Sequence, residues 1–261
     1  MFDQISVVII CKNSAKTLAR TLESVSAFSE VVVYDNGSTD KTPEIAKLYS
    51  NVCLYQGEFE GFGKTKQKAV NAATHDWVLS LDADECISGH LLEELRSWQP
   101  GSHNIAGWIL RDNYLMGRHA GHGSWARDWL LRLFNRKAHG FNDSPVHEKV
   151  IAYSDSQKKY FRGTIKHNAV QELGQFLVKI DRYTEIRRKE SSKTFHPTII
   201  VLRSLIAFIK GYIIRCGFLD GWRGLVIAWN DANGTFYKYI KRYADRAVEK
   251  EQQEDNADSS P

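Results

Sequence analysis

The 261-residue chain has little cysteine, and its four thiols, Cys11, Cys53, Cys86 and Cys216, form no Cys-x-x-Cys pair. That spacing fits neither a zinc site nor a disulfide framework. The thiols read instead as buried or neutral groups of a protein in a reducing compartment. The opening MFDQISVVII has no basic leader and carries Asp3 before a β-branched run, so it reads as a first strand and the expected location is cytoplasmic. Uninterrupted apolar runs are also short. The most hydrophobic segment, TIIVLRSLIAFIKGYIIRCGFL, is broken by Arg203, Lys210 and Arg215 before it reaches the roughly 20 residues of a membrane span. No internal repeat and no nucleophile constellation is present.

Charge is unevenly placed. Residues 1–178 hold 20 basic and 20 acidic side chains, 179–246 hold 14 and 6, and 247–261 hold 1 and 5, which together give the net +4. The basic character therefore belongs to one C-terminal region, and the polar acidic end, 247–261, is expected to be disordered.

Strand and helix signals alternate through the first ninety residues. ISVVIICKN, EVVVYDNGSTD, VCLYQ and WVLSLDADE read as strands, with amphipathic segments between them; Thr42 and Pro43 suit a helix start. Such βαβ repetition predicts an α/β fold with a mostly parallel, Rossmann-like sheet flanked by helices. Ligands of these sheets bind beyond the carboxyl ends of the strands, where CKN, DNGSTD and DADE all fall. After residue 100 come two further strands, NIAGWILRDNYLMG and DWLLRLFNR, then KVIAYS and KYFRGTIKHN, and helix from Gln171 onward.

Alternate residues of a strand share a face, so Asp82 and Asp84 can point together while Ala83 points away. Two carboxylates at a strand end suit a hard divalent cation that takes its other ligands from phosphates. An apolar strand ending in carboxylates also suits a nucleotide hydrolase, and GFGKT at 61–65 invites a phosphate-loop reading. The spacing rejects it: the first glycine of such a loop would stand at 58, where the chain has Glu58.

The segments VVIICKNSAKTLARTLESV, EVVVYDNGSTDKTPEIA and DWVLSLDADE, in this order, resemble family 2 glycosyltransferases with the GT-A fold over about the first 170 residues. RLFNRKAHGFNDSPVHEKV is similar to the RLF…VHE segment of a bacterial subgroup, and the continuation through GFLDGWRGL is most similar to lipopolysaccharide core β-1,4-glucosyltransferases that modify the inner heptose. The resemblance implies a GT-A catalytic domain over 1–175, with the donor site in about 1–90 and an acceptor and base region in about 105–170. It implies inverting transfer of a hexose, glucose from a UDP-sugar donor, to a heptose of the lipopolysaccharide core. A polyprenyl-phosphate, capsule or other glycan acceptor would use the same donor chemistry.

Residue by residue, the resemblance implies that Asp35 contacts the nucleotide base and Asp82 the ribose side, and that Asp84 binds a divalent cation, Mg²⁺ or Mn²⁺. His167 would complete the metal site; on residue type alone it is as readily a core histidine. Lys64 is the candidate nucleotide contact on the following helix, with a solvated lysine as the competing reading. Glu148 matches the base that would accept the acceptor hydroxyl's proton, and a glutamate paired with His147 or Lys149 is the alternative. The Gly-, His- and Trp-rich stretch 114–136 suits an acceptor pocket, with His122, Trp125 and Arg132 as candidates and core packing as the alternative for the aromatics.

In the C-terminal region, 176–246, Arg203, Ser204, Lys210, Gly211 and Arg215 share one helical sector and the rest is apolar. Such a helix predicts peripheral association with the inner-membrane surface, with packing on the catalytic domain as the alternative. The interleaved apolar face argues against nucleic acid as a partner.

Overall fold

A computed structural model describes residues 2–144, 148–190 and 193–258. It divides into two compact units, one of residues 1–112 and 127–168, the other of 113–126 and 169–261. The division is discontinuous, with breaks after residues 112, 126 and 168.

In the first unit the chain alternates as expected: β1 (Ile5–Cys11), α1 (Leu18–Ser24), β2 (Glu30–Asp35), α2 (Thr42–Ala46), β3 (Val52–Gln56), α3 (Phe62–Ala72) and β4 (Trp77–Asp82). Strand β1 is buried along its whole length, and it pairs in parallel with β2 on one side and β4 on the other. The period-2 pattern sorts its side chains. Val7 and Ile9 join Val31, Val33, Leu79 and Leu81 beneath α1, while Val8 and Ile10 join Val32 and Val78 beneath α3. Burial on both faces is why these strands read as continuous apolar runs.

The rest of the sheet differs from the mostly parallel expectation. β5 (Glu85–Ile87), α4 (Gly89–Ser97), β6 (Ile105–Leu115), β7 (Arg118–His119) and β8 (Asp128–Asn135) follow, then β9 (Gly140–Phe141), β10 (Val150–Ile151) and β11 (Gln157–Val170). The strand order is β3-β2-β1-β4-β8-β6-β11-β5, with β8 antiparallel to β4 and to β6, and β5 antiparallel to β11. The sheet is therefore mixed, because β8 closes against β4 from the opposite direction instead of through a crossover helix. Strands β9 and β10 form a separate two-stranded ribbon.

The second unit is mainly helical: α5 (Gly174–Glu190), α6 (Pro197–Ile209), a π turn at Lys210–Ile214, a 3-10 turn at Gly217–Asp220, and α7 (Trp222–Asp258). Small residues let its chain segments approach. A Cβ at Gly224 would lie 1.7 Å from the Gly217 carbonyl oxygen, so no other residue fits there. Ile200 is buried, Ser204 donates its hydroxyl to the Ala232 carbonyl at 2.8 Å, and Gly211 faces Ala228. The polar sector expected on this helix is thereby divided. Its small members face α7, Arg203 stacks on Phe195 and Tyr239, and Lys210 and Arg215 are exposed.

Two expectations for this unit change. Pro197–Ile214 runs 18 residues with a mean hydropathy of 1.7 and is only 11% buried, so by length and composition it is long enough to cross a membrane despite its charges. The acidic end, expected to lack structure, continues helix α7 to Asp258; it is rich in good helix formers, and Lys250 pairs with Glu254 one turn on at 3.3 Å.

Candidate active site

Three parallel strands end side by side in the first unit. Register places Cys11 opposite Asp35 and Ile10 opposite Asp82, which brings CKN, DNGSTD and DADE to one rim. Asn13, in the left-handed region at φ 51°, accepts the Thr39 N–H at 2.8 Å and donates its own N–H to the Ser38 hydroxyl. Asp35 is fully buried; its carboxylate accepts the Ser38 hydroxyl at 2.5 Å and the Ser38 N–H at 3.3 Å. Asp35, the expected base contact, thereby holds the loop at this rim. Burial, then the Asp35 charge, pushes the neighbouring Cys11 thiol up to about 12.

The DADE turn is held from within. Glu85 is completely buried and accepts the Asp82 N–H at 2.9 Å, while Thr21 donates to the Ala83 carbonyl. The repulsion among the crowded carboxylates is met by three cations. Asp82 takes Lys66 at 2.6 Å on one oxygen and Arg132 at 2.9 Å on the other. Glu85 takes Arg132 at 2.7 Å and Arg111 at 3.2 Å, and Arg111 also pairs with Asp128 at 2.7 Å. Burial alone would raise the Asp82 carboxyl, but Lys66 and then Arg132 reverse that and hold it well below the usual range.

Lys66 is the residue that sequence reading missed. Its side chain is 5% exposed, and its ammonium lies 2.6 Å from Asp82 and 2.7 Å from Glu148. Burial would lower it; Asp82 and Glu148 outweigh burial and raise it. Lys64, the expected nucleotide contact, is exposed. The helical period held the signal, since Gly63, Lys66 and Val70 lie on one buried face of α3 and Lys64 does not. Gly63 also explains the GFGKT stretch: a Cβ there would sit 1.9 Å from the Asn142 carbonyl oxygen. The glycine lets the segment leading to Glu148 dock on α3, and its N–H donates to the Ser144 carbonyl.

Glu148 is tied to Lys66, with 16% of its side chain exposed. His147 lies outside the described residues. Strand β11 brings His167 opposite Glu85 in register, and its Nε2 comes to 3.4 Å from the Asp84 carboxylate. Donors of one octahedral cation at about 2.1 Å stand roughly 3 Å apart, so this pair fits two adjacent positions of a divalent ion. Among the described residues no group of three or more His, Cys, Asp or Glu converges. Two protein ligands leave room for phosphate oxygens and water, as Mg²⁺ sites usually do.

The acceptor candidates divide between the units. Arg132 belongs to the first unit, where it is buried and engaged by Asp82 and Glu85. His122 and Trp125 belong to the second. There Asp220 accepts from the His122 backbone at 2.9 Å and meets its ring Nδ1 at 2.8 Å, while Trp125 packs on Phe176 within a small apolar cluster. Phe134 is core, whereas Trp129 is partly exposed and meets Tyr160 edge-on.

Comparison with known proteins matches this arrangement to a family. The pattern of glycosyl transferase family 2 covers residues 6–154. The lipopolysaccharide core biosynthesis glycosyltransferase LpsC of Rhizobium meliloti is 26% identical over 255 residues, covering 90% of this chain and 93% of that protein. An uncharacterized glycosyltransferase of Rickettsia typhi, RT0209, is 29% identical over 238 residues, covering 85% and 81%. Among solved structures, S. aureus TarS 1-349 in complex with UDP-GlcNAc aligns with 71% of this chain and 64% of that one, at 18% identity and a TM-score of 0.47. The chain belongs to glycosyl transferase family 2, and its first unit has the GT-A fold.

Proposed function

We propose that this family 2 glycosyltransferase transfers a hexose, glucose from UDP-glucose, with inversion to a heptose of the lipopolysaccharide core. The observation that carries the reading is the contact of Glu148 and Asp82 through Lys66, which sets a loop carboxylate beside the strand end that would receive the donor. The likeness to LpsC, named for lipopolysaccharide core biosynthesis, supports the acceptor class.

Each residue then has a role. Asp84 and His167 would hold a divalent cation, which supplies charge neutralisation for a departing diphosphate. Asp82 contacts the nucleotide's ribose side, and Asp35 contacts its base. Glu148 accepts the proton of the heptose hydroxyl as that oxygen attacks the anomeric carbon from the side opposite the leaving UDP. One displacement inverts the anomeric centre and needs no covalent intermediate. His122, with its ring aligned by Asp220, is the proposed acceptor contact of the second unit.

The acceptor is membrane-anchored, and the second unit is suited to that surface. Leu202, Leu205, Ile206, Ile209, Ile213 and Ile214 form an exposed apolar face, with Lys210 and Arg215 also exposed. We assign it peripheral association with an anionic bilayer on the cytoplasmic side. A donor screen by UDP release, with deacylated and full-length core lipid and with polyprenyl phosphate as acceptors, tests the function. UDP-glucose with core lipid should give the fastest acceptor-dependent release. Turnover with polyprenyl phosphate alone would replace the acceptor, and no release with any acceptor would reject transfer.

A further inference from the structure

A lysine buried between two carboxylates needs an explanation beyond stability, because an ammonium that could reach water would avoid the cost of burial altogether. Lys66 lies at the centre of an alternating chain of charges. Glu148 meets Lys66, Lys66 meets Asp82, Asp82 meets Arg132, Arg132 meets Glu85, Glu85 meets Arg111, and Arg111 meets Asp128. The arginines and Glu85 anchor one end within the sheet. Glu148 is the other end, and it lies outside the regular strands β9 and β10.

A carboxylate outside a helix or strand is placed poorly unless something fixes it. Here the fixing group is one rigidly mounted ammonium: Lys66 stands on the buried face of α3, with the Phe141 ring 5.7 Å away. The same helix clamps strand β9 and the residues just after it, since Gln67 accepts the Phe141 N–H at 2.8 Å and the Gly63 N–H donates to Ser144. We propose that Lys66 is the positioning residue of the reaction: by bridging Asp82 and Glu148 it sets the proton-accepting carboxylate at a fixed place relative to the donor. The proposal rests on the reading of Glu148 as the base. It assigns Lys66 a role through Glu148, not a contact that holds the sugar nucleotide.

That distinction sets the test. Misplacing a reacting group by about 1 Å can cost on the order of 100-fold in rate while leaving ligand affinity in place. Lys66→Met should therefore lower kcat about 100-fold, while the affinity for UDP in the presence of Mn²⁺, read by calorimetry, stays within about fivefold of wild type. Lys66→Arg keeps the charge at a shifted position and should recover about tenfold of that loss. In a Glu148→Gln background, Lys66→Met should add less than about threefold, because residues acting as a unit are not additive. A Lys66→Met defect carried mainly by UDP affinity, or full additivity with Glu148→Gln, would overturn the proposal. Should Lys66→Met fail to fold, Lys66→Arg decides alone: lowered kcat at unchanged UDP affinity supports the role, and unchanged kcat at weakened affinity refutes it. Glu148→Gln separates the two readings. If it is inactive while Lys66→Met turns over normally, Lys66 loses its role and the base keeps its own; if it is active, the base reading itself fails.

Discussion

The two units place their side chains in opposite ways. In the first, apolar strands lie inside and charges follow them in: Asp82, Glu85, Arg111, Arg132, Lys66 and Glu148 are all wholly or largely removed from water and satisfied by one another. In the second, glycine, serine and alanine line contacts between segments, and most large apolar side chains of α6 other than Ile200 point outward. Buried paired charges fix atoms with the accuracy chemistry needs; an exposed apolar face gives adhesion without fixing anything. Catalysis and surface attachment should therefore fail separately.

The largest expected effect is on the first unit's chemistry. Removing divalent cations with EDTA, or replacing Asp84 by Ala, should reduce transfer by at least about 1,000-fold, with Mn²⁺ restoring the wild type only. Undiminished transfer in EDTA would remove the cation from the account. Binding to vesicles should be unchanged in both cases. The converse break is in the second unit: Ile206→Glu together with Ile209→Glu should lower co-sedimentation with anionic vesicles by about tenfold or more, since two apolar contacts are exchanged for two charges of the wrong sign. Turnover on deacylated, soluble acceptor should stay near wild type, and equal loss on soluble and membrane-bound acceptor would contradict the separation.

A smaller effect follows from the paired charges. Asp82 is held low, so the stability it contributes is present above its unfolded value of about 3.9 and is lost as pH falls through the folded value. Lys66 is raised, so its contribution is present below about 10.4 and is lost as pH rises through the folded value. Tm should therefore be flat between about pH 4 and 10 as far as these groups decide it, and Asp82→Asn should flatten the acid limb. Acid limbs that run parallel in the two proteins would show that Asp82 is not linked to folding. The smallest effect is in the thiols: at pH 8 a thiol reagent should label exposed Cys53 and leave Cys11, raised to about 12 and buried, until the chain unfolds. Equal labelling would mean the Asp35 rim opens in the native protein.

How much of this was legible follows from how local each signal is. The first four strands and the rim they share were readable because each element announces itself within a few residues, in the apolar run of Val31–Val33 or the turn chemistry of DNGSTD. The mixed half of the sheet was not, since whether β8 joins β4 from the front or behind depends on a chain reversal that no local pattern encodes. Asp82, Asp84, His167 and Glu148 were found through resemblance, and the structure brings Asp84 to His167 and Asp82 to Glu148. Lys66 was not legible beside Lys64, because only the buried face of α3 separates the two lysines. The helical end of α7 was not legible from its polarity, which sets solubility but not helix propensity.

The most direct test of the account compares wild type with Glu148→Gln in acceptor-dependent release of UDP from UDP-glucose, alongside calorimetric binding of UDP with Mn²⁺. The account requires release to fall by on the order of 100- to 10,000-fold while UDP affinity remains near wild type. Release by Glu148→Gln at the wild-type rate would contradict it.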